Sequence, residues 1–322
     1  MTIALNTARI DVHAHYLPAR YLEMLRAAGG RVLSPAHDED TLAHLVAGQD
    51  AAGVQTQVLS TGPHSPYLHD ASAAIACAHE INDSYAAVVD RSGGRFAAFG
   101  SVPLPHVGPA SAEGCRCLDE LGFAGIHLGC SILGRPLDDP EFDEFWQELD
   151  RREAIVFVHP GGVLMGAEPG LAGMDDPMLA VVIGSAAEVA TTTMRLIGLR
   201  RRHARIRFVI CILGGVLPYL YKRLDHAAGA FGKKLLGDMQ RPLIEELRGF
   251  YYDTTLDDDV DALIKARDLY GADRLLLGSD APKGTPAAAI DFVRAAGFPV
   301  SECNAILDRN AADLLAHRLR RP

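Results

Sequence analysis

Short apolar runs rich in β-branched residues recur along the whole chain, with longer helical patterns between them. This alternation limits the fold more than any other feature. The runs are RIDVHAH (9–15), VQTQVLST (54–61), FAAFGSV (96–102), GFAGIHLG (122–129), AIVFVHP (154–160), RFVICI (207–212), FYYDTTL (250–256) and RLLLGSD (274–280). Eight strand–helix units predict parallel strands, right-handed crossovers and closure: an α/β chain folded as one (β/α)₈ TIM barrel over residues 1–322. No repeat, low-complexity tract or linker divides it. In DDPEFDEFWQELDRR (138–152), Asp138 or Asp139 can cap a helix and Pro140 suits its first turn. Phe142, Phe145, Trp146 and Leu149 then follow at i, i+3, i+4 and i+7, the stripe of a helix packed on a sheet. A last helix is expected from about Ser301, burying Ala305, Ile306, Leu314 and Leu315. Two excursions interrupt the alternation: an insertion at 28–50 after the first strand, and a long loop at 161–190 after the fifth, a candidate pocket wall.

Composition removes several classes of function. The chain carries a net charge of −10 and no basic stripe with interleaved aromatics, so nucleic acid is not an expected partner. Its longest uncharged run, FVICILGGVLPYLY (208–221), is too short and too broken by Gly and Pro for a membrane span. The start MTIALNTAR has no basic segment followed by an apolar one, and the six cysteines form no CxxC pair, so a cytoplasmic protein with free thiols is expected. An anionic substrate would need local cations in its pocket.

The C-terminal strand ends carry the chemistry. The first ends in His13 and His15, which alternation places on one side. His64 follows the second, His127 lies on the fourth, His159 ends the fifth and Asp280 ends the eighth. A barrel brings these tips to one face. His13, His15, His159 and Asp280 make a nitrogen–oxygen set for one divalent metal; Zn²⁺ is the expectation, with Mn²⁺ and Fe²⁺ also compatible.

IDVHAHYLP, VFVHPGG, LGGVLPYLYKRLDH and LLLGSDAP, in this order, resemble the amidohydrolase superfamily. They are similar in particular to its branch containing aminocarboxymuconate-semialdehyde, γ-resorcylate and 5-carboxyvanillate decarboxylases. The resemblance runs from residue 9 to ILDRNAADLL (306–315). It implies a barrel with one metal on His13, His15, His159 and Asp280, and non-oxidative cleavage of a carbon–carbon bond, with hydratases and lactone hydrolases among the relatives. Asp280 matches an aspartate implied to move the proton. Arg223 matches an arginine that binds a substrate carboxylate, sometimes across a dimer, so a homodimer is implied.

One position departs from the pattern. The branch carries His-x-Gly-Gly after the sixth strand, and this chain reads Ile212-Leu213-Gly214-Gly215. Isoleucine moves no proton, and loss of such a base commonly costs about 10²–10⁴-fold in rate. Four accounts remain open: a reaction without that base, with Ile212 beside a chelating substrate; a stand-in such as His64 or His127; a small-acid-binding protein without turnover; or an engineered chain. The first account has an ortho-hydroxy or enol carboxylic acid chelating the metal, Arg223 pairing with a carboxylate, Lys283 neutralising charge, and Asp280 protonating the carbon that loses CO₂. The enzymatic alternative is metal-dependent hydrolysis or hydration of a lactone or unsaturated acid.

Overall fold

The computed structural model describes residues 8–161, 177–231, 241–255 and 259–319. The barrel strands are β1 (Ile10–His15), β2 (Thr56–Ser60), β3 (Phe96–Ser101), β4 (Gly125–Gly129), β5 (Ile155–His159), β6 (Arg207–Ile210), β7 (Tyr251–Asp253) and β8 (Leu275–Leu276). They pair in chain order and all in parallel. β8 is only two residues long, but the chain beyond it stays against β1. Val12 N donates to Leu277 O at 2.9 Å, Asp280 N to His13 O at 2.9 Å and His15 N to Ala281 O at 2.7 Å, which closes the ring.

The expected elements appear with two corrections. The helix expected at 138–152 begins as a single 3₁₀ turn, Pro140–Phe142, and continues as an α-helix over Asp143–Arg151. Asp139 is the cap, accepting from Glu141 N at 3.0 Å. Phe142, Phe145, Trp146 and Leu149 are all buried. Each contributes about 1.5–3 kcal/mol of apolar burial. Trp146 Nε1 donates to Leu137 O at 2.8 Å, which fits packing rather than ligand contact. The C-terminal helix is broken by a π turn, Ala305–Arg309, yet buries Ala305, Ile306, Leu314 and Leu315 as expected.

The first correction concerns residues 28–50. Most of that stretch is the crossover helix Glu39–Ala52, capped by Asp38 and Thr41, so the true excursion is the coil of residues 28–38. The second concerns 161–190: a helix spans Pro177–Arg202, and residues 162–176 lie outside the described residues.

Inside the barrel, Phe99 of β3 stacks on Phe157 of β5 with ring centroids 5.3 Å apart, forming an apolar floor below the strand tips. None of the six cysteines is in a disulfide. Among the described residues, no helix is long and apolar enough to cross a membrane.

Candidate metal and active centre

β1 carries a register shift between Asp11 and Ala14, where it gains one residue over β2. Such a bulge re-aims the side chains beside it. Asp11 anchors the bulge from inside. Its carboxylate accepts from His13 N (3.1 Å), Ser279 N (3.0 Å), Ser279 Oγ (2.5 Å) and Gln57 Nε2 (2.8 Å), tying β1 to β2 and to the segment after β8. Burial raises the Asp11 carboxyl, and these hydrogen bonds lower it again in part.

The imidazoles of His13 and His15 converge so that their Nε2 atoms are 3.1 Å apart. His159 reaches the same point from β5, all three offering ring nitrogens within 4.8 Å of one another. Asp280 sits past β8 in a left-handed backbone conformation, φ 57°, which aspartate tolerates. Its Oδ1 is 3.0 Å from His15 Nε2 and 3.7 Å from His13 Nε2.

Each imidazole is fixed from behind. His13 Nδ1 donates to Asp253 Oδ2 at 2.7 Å, inside a fully buried pair. His159 Nδ1 donates to Pro160 O at 2.7 Å, and His15 Nδ1 lies 3.1 Å from Ser60 Oγ and 3.3 Å from Ser60 O. An Nδ1–H held by an acceptor leaves a lone pair on Nε2. Two such lone pairs 3.1 Å apart repel unless a cation lies between them. Metal–nitrogen bonds of about 2.1 Å place neighbouring donors about 3.0 Å apart around an octahedral ion and about 3.4 Å around a tetrahedral one. Among His13, His15 and Asp280 the donor separations of 3.0–3.7 Å fit such an ion, with His159 joining the two histidines within 4.8 Å.

The electrostatics agree. Burial lowers the His13 imidazole, but the Asp253 carboxylate outweighs it and favours positive charge there. Burial drives His159 far down, keeping it a neutral ligand. Burial raises the Asp280 carboxyl, but the hydrogen bond and charge of His15, then His13 and Lys283, hold it well below the usual carboxylate range.

A model of the amidohydrolase family matches residues 10–316. The chain belongs to the amidohydrolase family. Among its relatives is the 6-methylsalicylic acid decarboxylase acuB of Aspergillus aculeatus, 30% identical over 330 residues and covering 97% of each chain. A solved 2,6-dihydroxybenzoate decarboxylase with 2,6-dihydroxybenzoate bound superposes with a TM-score of 0.80 at 24% identity, over 96% of this chain and 99% of that one. A dihydroxybenzoic acid decarboxylase of Polaromonas, solved with manganese and the inhibitor 2-nitroresorcinol, gives 0.78 at 22% identity, over 98% and 100%.

In this amidohydrolase the turn after β6 carries isoleucine at 212, where the resemblance implies a histidine. Ile212, Leu213, Gly214 and Gly215 all have positive φ: 46°, 52°, 78° and 64°. A Cβ on Gly215 would lie 2.1 Å from Ala186 O, so the glycine is required. A β-branched residue in this region is a backbone outlier. Ile212 is half-buried, and its amide donates to Asp253 Oδ1 at 2.9 Å. Asp253 thus binds the turn with one oxygen and His13 with the other.

The remaining expected residues separate. His64 is fully buried, and its Nε2 accepts from Leu33 N (3.1 Å) and Ser34 N (3.3 Å). Its Nε2 lone pair is spent on the coil after β1, so His64 is a brace for that coil and not a free base. His127 lies inside the barrel, its ring 6.0 Å from that of His159. Lys283 is exposed and pairs with Asp280 Oδ2 at 3.3 Å. Arg223 is exposed on the helix Leu217–Phe231 and pairs with no acidic group among the described residues.

A cavity of about 540 Å³ opens beside the cluster, its wall including Gly30, Arg31, Pro63, Tyr67, Gly129 and Gly161. Gly129 pairs with His159 across the sheet, and Gly161 lies two residues past it. Arg31, exposed on the 28–38 coil, is a cation on this wall without an ion pair among the described residues. A cavity of about 520 Å³ at the opposite end, beside the Arg9–Asp308 ion pair, holds none of the histidines.

Sequence reasoning missed Asp253, Asp11 and Ser60. Asp253 was legible in principle: it closes FYYD at a strand tip, the kind of position that singled out Asp280.

Proposed function

We propose that this protein is a metal-dependent, non-oxidative decarboxylase of a small ortho-hydroxybenzoate, of the kind named for its 6-methylsalicylic acid and dihydroxybenzoate relatives. The observation that carries the reading is the gathering of three back-braced imidazoles, their ring nitrogens within 4.8 Å of one another, with the Asp280 carboxylate 3.0 Å from His15 Nε2. A divalent ion held by His13, His15, His159 and Asp280 would polarise the hydroxyl and carboxylate oxygens of such an acid. The donor set suits Zn²⁺ and equally Mn²⁺, which the Polaromonas enzyme holds.

The chain's own residues supply the rest. Asp280 is the proton carrier. Its low pKa in the free site means that a proton must be taken up together with an anionic substrate, whose charge pushes the carboxyl back up. That proton goes to the ring carbon bearing the carboxylate. The carbon–carbon bond then breaks, its electron pair restores the ring, and CO₂ leaves. No water has to be activated, so Ile212 is compatible with the reaction. Lys283 moderates the charge of Asp280.

The cavity wall supports an anion subsite at Arg31. Pairing in so exposed a place is worth at most about 1 kcal/mol. The Arg31→Ala variant is therefore expected to raise KM up to about fivefold and leave kcat unchanged; an altered kcat with constant KM would remove Arg31 from the pocket. The exposed apolar residues Tyr219 and Leu220 lie on the helix that carries Arg223, and Val182 and Ile183 are exposed on the helix Pro177–Arg202, which supports a homodimer with Arg223 at its seam.

The decisive test is to supply the metal-loaded protein with 6-methylsalicylate and follow CO₂ and 3-methylphenol. Equimolar release of both is expected. No release from any ortho-hydroxybenzoate, or an organic product that carries oxygen from labelled water, would overturn the reading.

A further inference from the structure

His127 is buried to 1% exposure inside the barrel, with the rings of Phe157 and His159 each 6.0 Å from its own. Its Nδ1 lies 3.1 Å from Thr61 Oγ1, which in turn lies 3.2 Å from Ser101 Oγ. Its Nε2 is buried and makes no hydrogen bond. A buried polar atom without a partner costs about as much as a lost hydrogen bond, so it asks for an explanation.

Counting protons fixes its character. If Ser101 donates to Thr61 and Thr61 donates to His127 Nδ1, both hydroxyl protons are used and Nε2 carries the imidazole hydrogen. In the reverse direction the Ser101 hydroxyl proton has no acceptor. The first arrangement leaves the fewest groups unmatched. Burial inside the barrel disfavours a charged ring, so the proton count is that of a neutral imidazole. A neutral Nε2–H turned away from Thr61, beside the metal ligands, is a donor in search of an oxygen.

We infer that His127 Nε2–H donates a hydrogen bond to the phenolic oxygen of the substrate, a positioning and charge-stabilising contact that no water-activating base at position 212 could replace. The inference rests on the ortho-hydroxybenzoate reading above. Electron density returns to that oxygen as CO₂ departs, so a fixed donor there helps most late in the bond cleavage. This role differs from that of a stand-in base: His127 neither takes nor gives a proton.

Two measurements on the zinc-loaded protein test it. Long-range ¹H–¹⁵N correlation of the histidine rings should show His127 as the Nε2–H tautomer at neutral pH; an Nδ1–H tautomer would overturn the inference. Equilibrium binding of 2-nitroresorcinol should weaken about 10- to 100-fold in His127→Leu and recover in large part in His127→Gln, which keeps an N–H donor. The hydroxyl-free 2-methylbenzoate should bind both variants as it binds the parent. Equal weakening toward both ligands, or unchanged 2-nitroresorcinol affinity in His127→Leu, would overturn the donor role, as would failure of the parent to bind 2-nitroresorcinol. Selective weakening in a protein that releases no CO₂ would support the donor and overturn the decarboxylase reading alone.

Discussion

The seam between β1 and β8 and the turn after β6 share one carboxylate, Asp253, yet they are built on different terms. At the cluster, which His13 and His15 enter from the seam and His159 from β5, each imidazole has its Nδ1 held by an acceptor and the three ring nitrogens gather within 4.8 Å. At the β6 turn the backbone is held as firmly, through Ile212 N to Asp253, but the side chain offered is apolar. Asp253 needs the amide of residue 212 whatever side chain that residue carries. Backbone and side chain are thus specified separately at the turn, whereas at the cluster the imidazoles themselves make the contacts.

The sharpest way to break this contrast is to remove a ligand. His15→Ala should lose most of the bound metal and with it the decarboxylase activity, while the apolar floor and the ring of strands remain. Metal content by inductively coupled plasma mass spectrometry, read beside the far-ultraviolet circular dichroism, checks both halves. Retention of about one ion per chain would show that the cluster is not the metal site.

His64 marks the other kind of buried histidine, one spent on structure. Burial lowers its pKa to about 4 from an ordinary 6.5. Between those values the unfolded chain binds a proton that the folded chain refuses, so stability rises with pH across that window. The contribution is fully present above about 6.5 and lost as the pH falls toward 4, on the order of 3 kcal/mol in all. His64→Gln keeps an acceptor for the coil but cannot titrate. Its melting temperature should fall less steeply than that of the parent as the pH drops from about 6.5 to about 4.5. Identical slopes would mean that His64 already titrates freely in the fold.

These two histidines also show what the sequence could and could not reveal. The eight strands, the barrel and the convergence of His13, His15, His159 and Asp280 follow from periodicity and from strand ends meeting on one face. The β1 bulge does not follow, because it depends on Asp11 reaching Ser279, 268 residues away. Nor does the fate of His64 or His127: both are histidines near strand tips, and only the positions of Leu33 N, Ser34 N and Thr61 Oγ1 show that one holds a coil and the other a hydroxyl inside the barrel. The 28–50 segment misled for a local reason. Its stretch 39–52 has a weak apolar stripe, and the Asp38–Thr41 capping box announces it more clearly than its periodicity does.

A smaller effect should follow from Asp253→Asn. The amide can still accept from Ile212 N, but its NH₂ then faces His13 Nδ1–H and the ligand loses its anionic brace. Partners of this kind commonly account for about 10–100-fold in metal affinity. Competition with a chelator would read the change, and an affinity within about twofold of the parent would sink the idea that Asp253 tunes the site.

The smallest change places at the β6 turn the imidazole that the resemblance implies. Ile212 holds a φ of 46° that costs a β-branched side chain more than a histidine. The substitution Ile212→His, followed by thermal unfolding and by CO₂ release, reads the backbone separately from the chemistry. Relief of the strain is expected to stabilise the fold by about 1 kcal/mol, less the apolar contact that the half-buried isoleucine gives up. In a chain of this size that amounts to about 2 °C in melting temperature. If the variant melts lower, packing of Ile212 outweighs its backbone strain, and the side chain is retained for contact. If it melts higher while CO₂ release is unchanged, the isoleucine is kept at a cost to the fold, and its value lies in leaving apolar space at the β6 tip.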